Sequence, residues 1–407
     1  MGLVSQHKDV VRTAAVAVAV ALSCLGVAIW LNHLRQSRPA HRAQAVAEPK
    51  AVVQGRGAPW PVFGGDPQHL GRAVGALAEK LDLAWTFKTS GSVKASPVIE
   101  DGRVFVGSAD ANLYALDLRT GQSIWSYKTG DAVEASACVK DGVVCVGSTD
   151  GWLYAVDAHT GDLKWKYQTG GQIAGGANWV PNPRGDGAWI VAGSYDGCVH
   201  CVDGQTGQRI WMYKTDNYVN GSPAVAGSLC VIGGCDARVH VVSVADGNGV
   251  STIETGSYIA ASAAIWEGQV YVGNYNGDFV KVDLATRQVV WRYGLENTAI
   301  VSSAAIGDQT VVFGARDRQV HCLRQQDGRP VWTFKALGEV DGSPALCDGK
   351  VVVGSEDGRL TMLRLSDGGL LWSYLVGKAL TSSPAIAYGV VVIGCDDGSV
   401  YAFAHKE

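Results

Sequence analysis

Methionine appears three times and phenylalanine seven times in 407 residues, and charged side chains make up only 18%. So little charge beside 47% hydrophobic residues excludes a disordered chain and leaves apolar surface enough for a large core. In place of the missing methionine stand 52 glycines and 13 tryptophans, a balance suited to many short strands and tight turns rather than to a helical bundle. Basic residues are also short where nucleic acid would need them: from residue 59 onward 27 Lys/Arg face 36 Asp/Glu. Phosphate contacts require clustered Lys and Arg, so no nucleic-acid partner is expected.

The first 58 residues reverse that balance, with seven Lys/Arg against two acids. Within them, "TAAVAVAVALSCLGVAIWL" from Thr13 to Leu31 runs nineteen residues without a charge. As a helix it would span about 28 Å, enough to cross a hydrocarbon core. An uncleaved signal anchor, a cleaved signal peptide and a lipoprotein signal compete for this segment. Its length favours the anchor, because the small-residue site "AQA" (Ala43, Ala45) lies far beyond it, past Arg35, Arg38 and Arg42. Cys24 in "VALSC" would serve a lipoprotein signal, but Ala21 suits that signal poorly and apolar sequence continues after the cysteine. Lys8 and Arg12 before the span are offset by the three arginines after it, so charge leaves sidedness open.

The remainder repeats. Trp85, Trp125, Trp165, Trp211, Trp291, Trp332 and Trp372 are spaced 40, 40, 46, 80, 41 and 40 residues apart, and Ser251 stands where the gap of 80 lacks its tryptophan. An independent marker recurs eight times: Ser96-Pro97, Ser136-Ala137, Gly176-Ala177, Ser222-Pro223, Ser262-Ala263, Ser303-Ala304, Ser343-Pro344 and Ser383-Pro384. Each unit carries four short apolar or alternating runs joined by turn signals. Units of this length and pattern predict an all-β, eight-bladed β-propeller of four-stranded blades, preceded by one N-terminal transmembrane helix. Trp85 belongs to a fourth-strand run with no preceding strands, and the last unit stops after its third. The N-terminal strand is therefore expected to complete the eighth blade beside Tyr401 and tie down both termini. The organisation is a flank over residues 1–12, an anchor over 13–31, a flexible tether over 32–59, a strap over 60–80 and the propeller over 81–407. The strap, "WPVFGGDPQHLGRA", is expected to bring the chain onto the propeller rim, with Trp60 and Phe63 packing and Gly64, Gly65 and Pro67 bending it.

Most repeated polar residues suit structural work. Asp110, Asp150, Asp196, Asp236, Asn276, Asp317, Asp357 and Asp397 hold one turn position, which a tight hairpin demands. Cys198 and Cys201 have CxxC spacing, but three apart on a strand they face opposite ways and cannot share a metal. The other propeller cysteines fit small apolar fillers, and many free thiols sit awkwardly with an oxidising compartment. His200, His240 and His321 replace a packed aromatic held elsewhere by Tyr114, Tyr154 and Tyr401. Two places escape the repeat. "NWVPNPRGDGAW" lengthens the first hairpin of the third blade, and Trp179, Arg184, Asp186 and Trp189 make it either a partner contact or a solvated loop. Two residues before each marker the units diverge, and if that ring faces the central channel, Lys94, Glu134, Asn220 and Asp341 are candidate ligand contacts.

The unit "SPVIEDGRVFVGSADANLYALDLRTGQSIWSYKTG" resembles the repeat of pyrroloquinoline-quinone (PQQ) quinoprotein propellers, and the strap resembles their lead-in segment, over about residues 60–404. The resemblance implies the fold and raises PQQ with calcium as an alternative cofactor for a dehydrogenase. Quinoprotein dehydrogenases are much longer, and many carry a vicinal Cys-Cys pair that this chain lacks. No calcium-binding Glu/Asn/Asp set with a catalytic Asp aligns onto it either. Compact members without insertions resemble the BamB-like outer-membrane assembly factors, periplasmic scaffolds that bind no quinone. The resemblance thus implies a non-enzymatic scaffold with no cofactor, facing the periplasm and binding other proteins, while the apolar run over residues 13–31 adds a membrane anchor where such factors are normally lipoproteins. A small-ligand sensor is a further alternative.

Overall fold

The computed structural model describes residues 57–406. Their 32 strands form eight four-stranded antiparallel sheets. The first blade runs Val98–Glu100, Arg103–Ser108, Asn112–Asp117 and Ser123–Lys128, and six more repeat that order outward. The eighth combines Ala385–Ala387, Val390–Gly394 and Ser399–Ala404 with Asp82–Lys88 from the other end of the chain. There Thr86 lies opposite Tyr401, so the expected closure is present. The innermost strands touch their neighbours in an unbroken circle, the last against the first. Residues 1–56, and with them the flank, the anchor and most of the tether, lie outside the described residues. Among the described residues no helix is long and apolar enough to cross a membrane.

Three repeated devices hold the ring, each built from one of the sequence markers. The tryptophan of the fourth strand packs on the next blade: Trp85, Trp125, Trp165, Trp211, Trp291 and Trp332 each donate their indole N–H to a carbonyl there, at 2.7–3.2 Å. Each ring covers a positive-φ glycine (Gly121, Gly161, Gly207, Gly247, Gly328 or Gly368), where an added Cβ would meet it within 2.8 Å. Trp372 packs instead against Phe403 of the eighth blade, whose fourth strand, Asp82–Lys88, is not joined to its third by a turn. In the second device the turn aspartate joins two blades. Asp150 accepts the Trp152 N–H and the Tyr154 hydroxyl of its own blade and the Gly130 N–H of the preceding one, at 2.7–2.9 Å. The third explains the Ser-Pro marker: each marker serine's backbone N–H donates to the hydroxyl of the next, as from Ser222 to Ser262 and from Ser383 to Ser96. Gly176, the one marker without a hydroxyl, interrupts this circle.

The strap departs from expectation. It does not lie on the rim but runs along the ring of inner strands at one end of the channel. Trp60 exchanges two backbone hydrogen bonds with Ile99 of blade one, and Pro61 accepts from Val139 of blade two. Pro67 accepts from Val225 and from the Asn178 side chain, Gln68 from Ile265, Leu70 from Ile306 and Gly71 from Leu346. The chain thus visits blades one to seven in order, and Gly57 pairs with Gly75 where the circuit meets itself. Those inner strands have a free edge toward the axis, and unpaired edge groups demand partners. The strap supplies them, which is why it reaches inward. Residues 57–59 belong to this circuit rather than to the tether.

Candidate functional site

Inside the strap, His69 is buried and Asp66 half-buried, with Arg72 the nearby positive charge on the aspartate. Asp66 accepts backbone N–H groups of Gln68 and Leu70, yet burial outweighs them and pushes its carboxyl up to about 6. Burial also drives His69 down to about 4, so its ring is neutral, facing the Ala263 carbonyl at Nδ1 and the Asn178 amide at Nε2. Phe63 of the strap forms part of the floor of a cup open at the other end of the channel, of about 210 Å³.

Lys94, Glu134, Asn220 and Asp341 all line this cup, above the marker serines. Each is engaged by a neighbour. Lys94 Nζ lies 3.4 Å from Glu134, Asn220 accepts the Tyr195 hydroxyl at 2.8 Å, and Arg316 grips Asp341 with two nitrogens at 2.7 and 3.0 Å. Glu339, Asp341 and Glu356 converge within 4.8 Å. Burial, then the charges of Asp341 and Glu339, holds the Glu356 carboxyl above its ordinary value. Missed by the repeat argument are two stacked tyrosine pairs on the same side, Tyr195 on Tyr218 at 5.0 Å and Tyr258 on Tyr275 at 4.4 Å. Tyr218 and Tyr258 are about half exposed. Both follow fourth strands, in loops where the repeat shows no constant residue and so gives no signal.

These residues do not fit PQQ with calcium. A hard cation needs several free oxygen ligands, whereas Arg316 already supplies positive charge among the acids and Lys94 answers Glu134. The strap closes the channel at one end and Phe63 lines the cup that remains, where a flat quinone would need room between two faces. Asp196, Cys198 and His200 also come within metal-ligating range of one another. His200, however, has both ring nitrogens taken, by Asp196 at 2.9 Å and the Tyr167 hydroxyl at 3.1 Å. His240 repeats this arrangement in a blade with no cysteine there.

The lengthened hairpin is where expected, between Asn178–Pro181 and Ala188–Gly193. Arg184 and Asp186 are exposed at the tip, where the Arg184 guanidinium lies 5.2 Å over the Trp189 ring and donates to the Ala245 carbonyl; Trp189 itself, 2% exposed, is core between blades three and four. Trp179 is half-buried and turns toward blade two, under Lys140 Nζ at 4.5 Å from its ring centre.

The profile of the family described as "Outer membrane protein assembly factor BamB" matches residues 70–234, 139–293 and 280–407. The chain belongs to this family. Among solved structures it is similar to BamB from Moraxella catarrhalis, at 18% identity over 80% of this chain and 100% of that one, with a TM-score of 0.69. It is also similar to quinohemoprotein alcohol dehydrogenase from Comamonas testosteroni, at 15% identity over 90% and 82%, TM-score 0.73. A europium-containing methanol dehydrogenase follows at 14% identity over 85% and 98%, TM-score 0.71. At these identities the likeness is one of fold, which BamB and the dehydrogenases share. No curated protein matches the chain.

Proposed function

We propose that this chain is a protein-binding scaffold of the cell envelope, held to a membrane through residues 13–31, with its propeller in the periplasm and a role in outer-membrane protein assembly. The observation that carries this reading is the strap. With the chain's own backbone closing one end of the channel, exposed surfaces suited to a protein partner are the aromatic mouth at Tyr218 and Tyr258 and the hairpin tip at Arg184 and Asp186. Membership of the BamB family supports the assembly role.

The test is affinity capture from membranes with the full chain and with residues 182–187 replaced by Asn-Gly. Loss of specific partners supports the hairpin as a contact; an unchanged set removes it. A reporter fused to the C-terminus reads sidedness, and activity on the cytoplasmic side overturns the periplasmic placement. The competing dehydrogenase reading is tested by adding PQQ and Ca²⁺. No bound-quinone absorbance and no dye-linked alcohol oxidation are expected, and either signal would reverse the non-enzymatic assignment. The cup with Lys94, Glu134, Asn220 and Asp341 supports a sensor as the second reading, which any saturable channel ligand would favour.

A further inference from the structure

Blade two holds two thiols face to face. Cys138 in its first strand, Cys138–Lys140, lies directly opposite Cys145 in its second, Val143–Gly147. No other two of the described cysteines oppose each other across a strand pair. No other blade carries cysteine at either place, and four put an alanine opposite a valine there, as Ala224 faces Val231 and Ala385 faces Val392. A small apolar filler stands singly, as at Cys230 or Cys322, whereas here both members of one pair depart from the repeat together.

The backbone sets them at disulfide distance. The hairpin turns through Asp141 and Gly142, both at positive φ, so bonded and unbonded pairs alternate back from Lys140 and Val143. Val139 gives its N–H to Pro61 of the strap, which makes Val139 and Val144 the unbonded pair and Cys138 and Cys145 the next bonded one. Such a pair has its Cα atoms about 5.5 Å apart, within the commonest disulfide span. The Cβ atoms must lean together by about 1 Å, a strain that leaves the bond reducible. Their surroundings, with Val62 of the strap, Leu153, Trp165 and Ile173, are apolar. A metal ion is disfavoured, because among the described residues neither thiol belongs to a group of three ligands.

We propose that Cys138 and Cys145 are a cross-strand dithiol that closes to a disulfide when the chain folds in the presence of a disulfide oxidant, such as oxidised glutathione or the oxidised CxxC of a thiol oxidase. One thiolate attacks the oxidant's sulfur–sulfur bond and releases one of its sulfurs as a thiol; the second thiolate attacks the mixed disulfide and releases the other. The two protons and two electrons of the pair pass to the oxidant's sulfurs, one sulfur–sulfur bond forming as one breaks. Exchange precedes burial, since in the folded blade Cys138 and Cys145 are 0% and 2% exposed. There the Cys138 thiol and burial together hold the Cys145 thiol well above the usual range, so little thiolate is left to react. Val62 then covers the bond as the strap settles. The couple depends on this hairpin alone, so it stands whether or not the periplasmic scaffold role does.

Cell-free synthesis of the full chain in detergent tests it, once with oxidised and reduced glutathione and once with dithiothreitol, followed by alkylation of the remaining thiols and tryptic digestion without reduction. Cuts after Lys128, Lys140 and Lys164 place the two cysteines, each alone, on residues 129–140 and 141–164. Mass spectrometry is expected to find these peptides joined as the predominant form in the glutathione sample, and separate and alkylated in the dithiothreitol sample. The joined chain should melt no lower than the reduced one. Cys138→Ala with Cys145→Val, the pair that four other blades carry, should melt alike in both samples, which assigns any difference in the unaltered chain to this bond. Both peptides alkylated in the glutathione sample, either one joined mainly to another cysteine, or a joined chain that melts lower would overturn the proposal.

Discussion

Ser251 stands where seven other blades carry tryptophan, and at the facing turn position of the next blade Arg287 replaces the usual glycine, keeping a positive φ of 62°. Both halves of the seam device are lost together. The missing tryptophan is legible in the repeat and marks this seam as the weakest; the missing glycine gains meaning only once the two are seen to touch. Ser251→Trp alone would therefore drive its ring into a side chain and should not raise the melting temperature. Ser251→Trp with Arg287→Gly should raise it by a few degrees in a thermal melt, about 1 kcal/mol or more from one buried aromatic. Asp66 and His69 carry a second residue-scale prediction. His69, lowered to about 4, costs stability as pH falls from 6.5, because the unfolded chain takes up a proton that the folded one refuses. Asp66, raised to about 6, does the opposite between pH 6 and 3.8, where only the folded chain binds its proton. Each effect amounts to about 3 kcal/mol at full extent, so they largely cancel. Asp66→Asn removes the compensation, and denaturant titrations should show its stability falling from pH 6.5 to 4 more steeply than that of the unaltered protein.

At the scale of elements, the strands, their turns and the closing pair were readable because each is written eight times, and a structural cause repeated eight times leaves a periodic trace. The strap is written once. Its glycines and prolines announce bends, but its backbone bonds to seven blades leave no mark in side-chain chemistry, so a path to the rim and a path around the channel read alike. Trp189 was misplaced for a related reason. It lies on a second strand buried on both faces, where alternation between inside and outside disappears. The strap's weight can be measured. Trp60 is 3% exposed and packs under Gly65, so Trp60→Ala should cost about 3–5 kcal/mol by chemical denaturation. A silent substitution would mean that the circuit is not a structural member.

For the whole molecule, the fold was almost wholly legible and the site only in part. The ring position of Lys94, Glu134, Asn220 and Asp341 followed from strand order, whereas the partners that occupy them, Arg316 and Tyr195 among them, depend on how neighbouring loops meet in space. A chain beginning at residue 78 keeps the closing strand and loses the strap. It should still form the ring but unfold in guanidinium at least tenfold faster, because contacts to seven blades no longer have to break together. The pairing of Gly57 with Gly75 also bears on mechanical load. A pull applied at Gly57 passes first into strap bonds spread around the inner ring. Asp82–Lys88, the strand whose removal would open the eighth blade, lies downstream of all of them. Tension from that point is thus borne in shear at the hub, and the seam that closes the ring is shielded from being peeled apart.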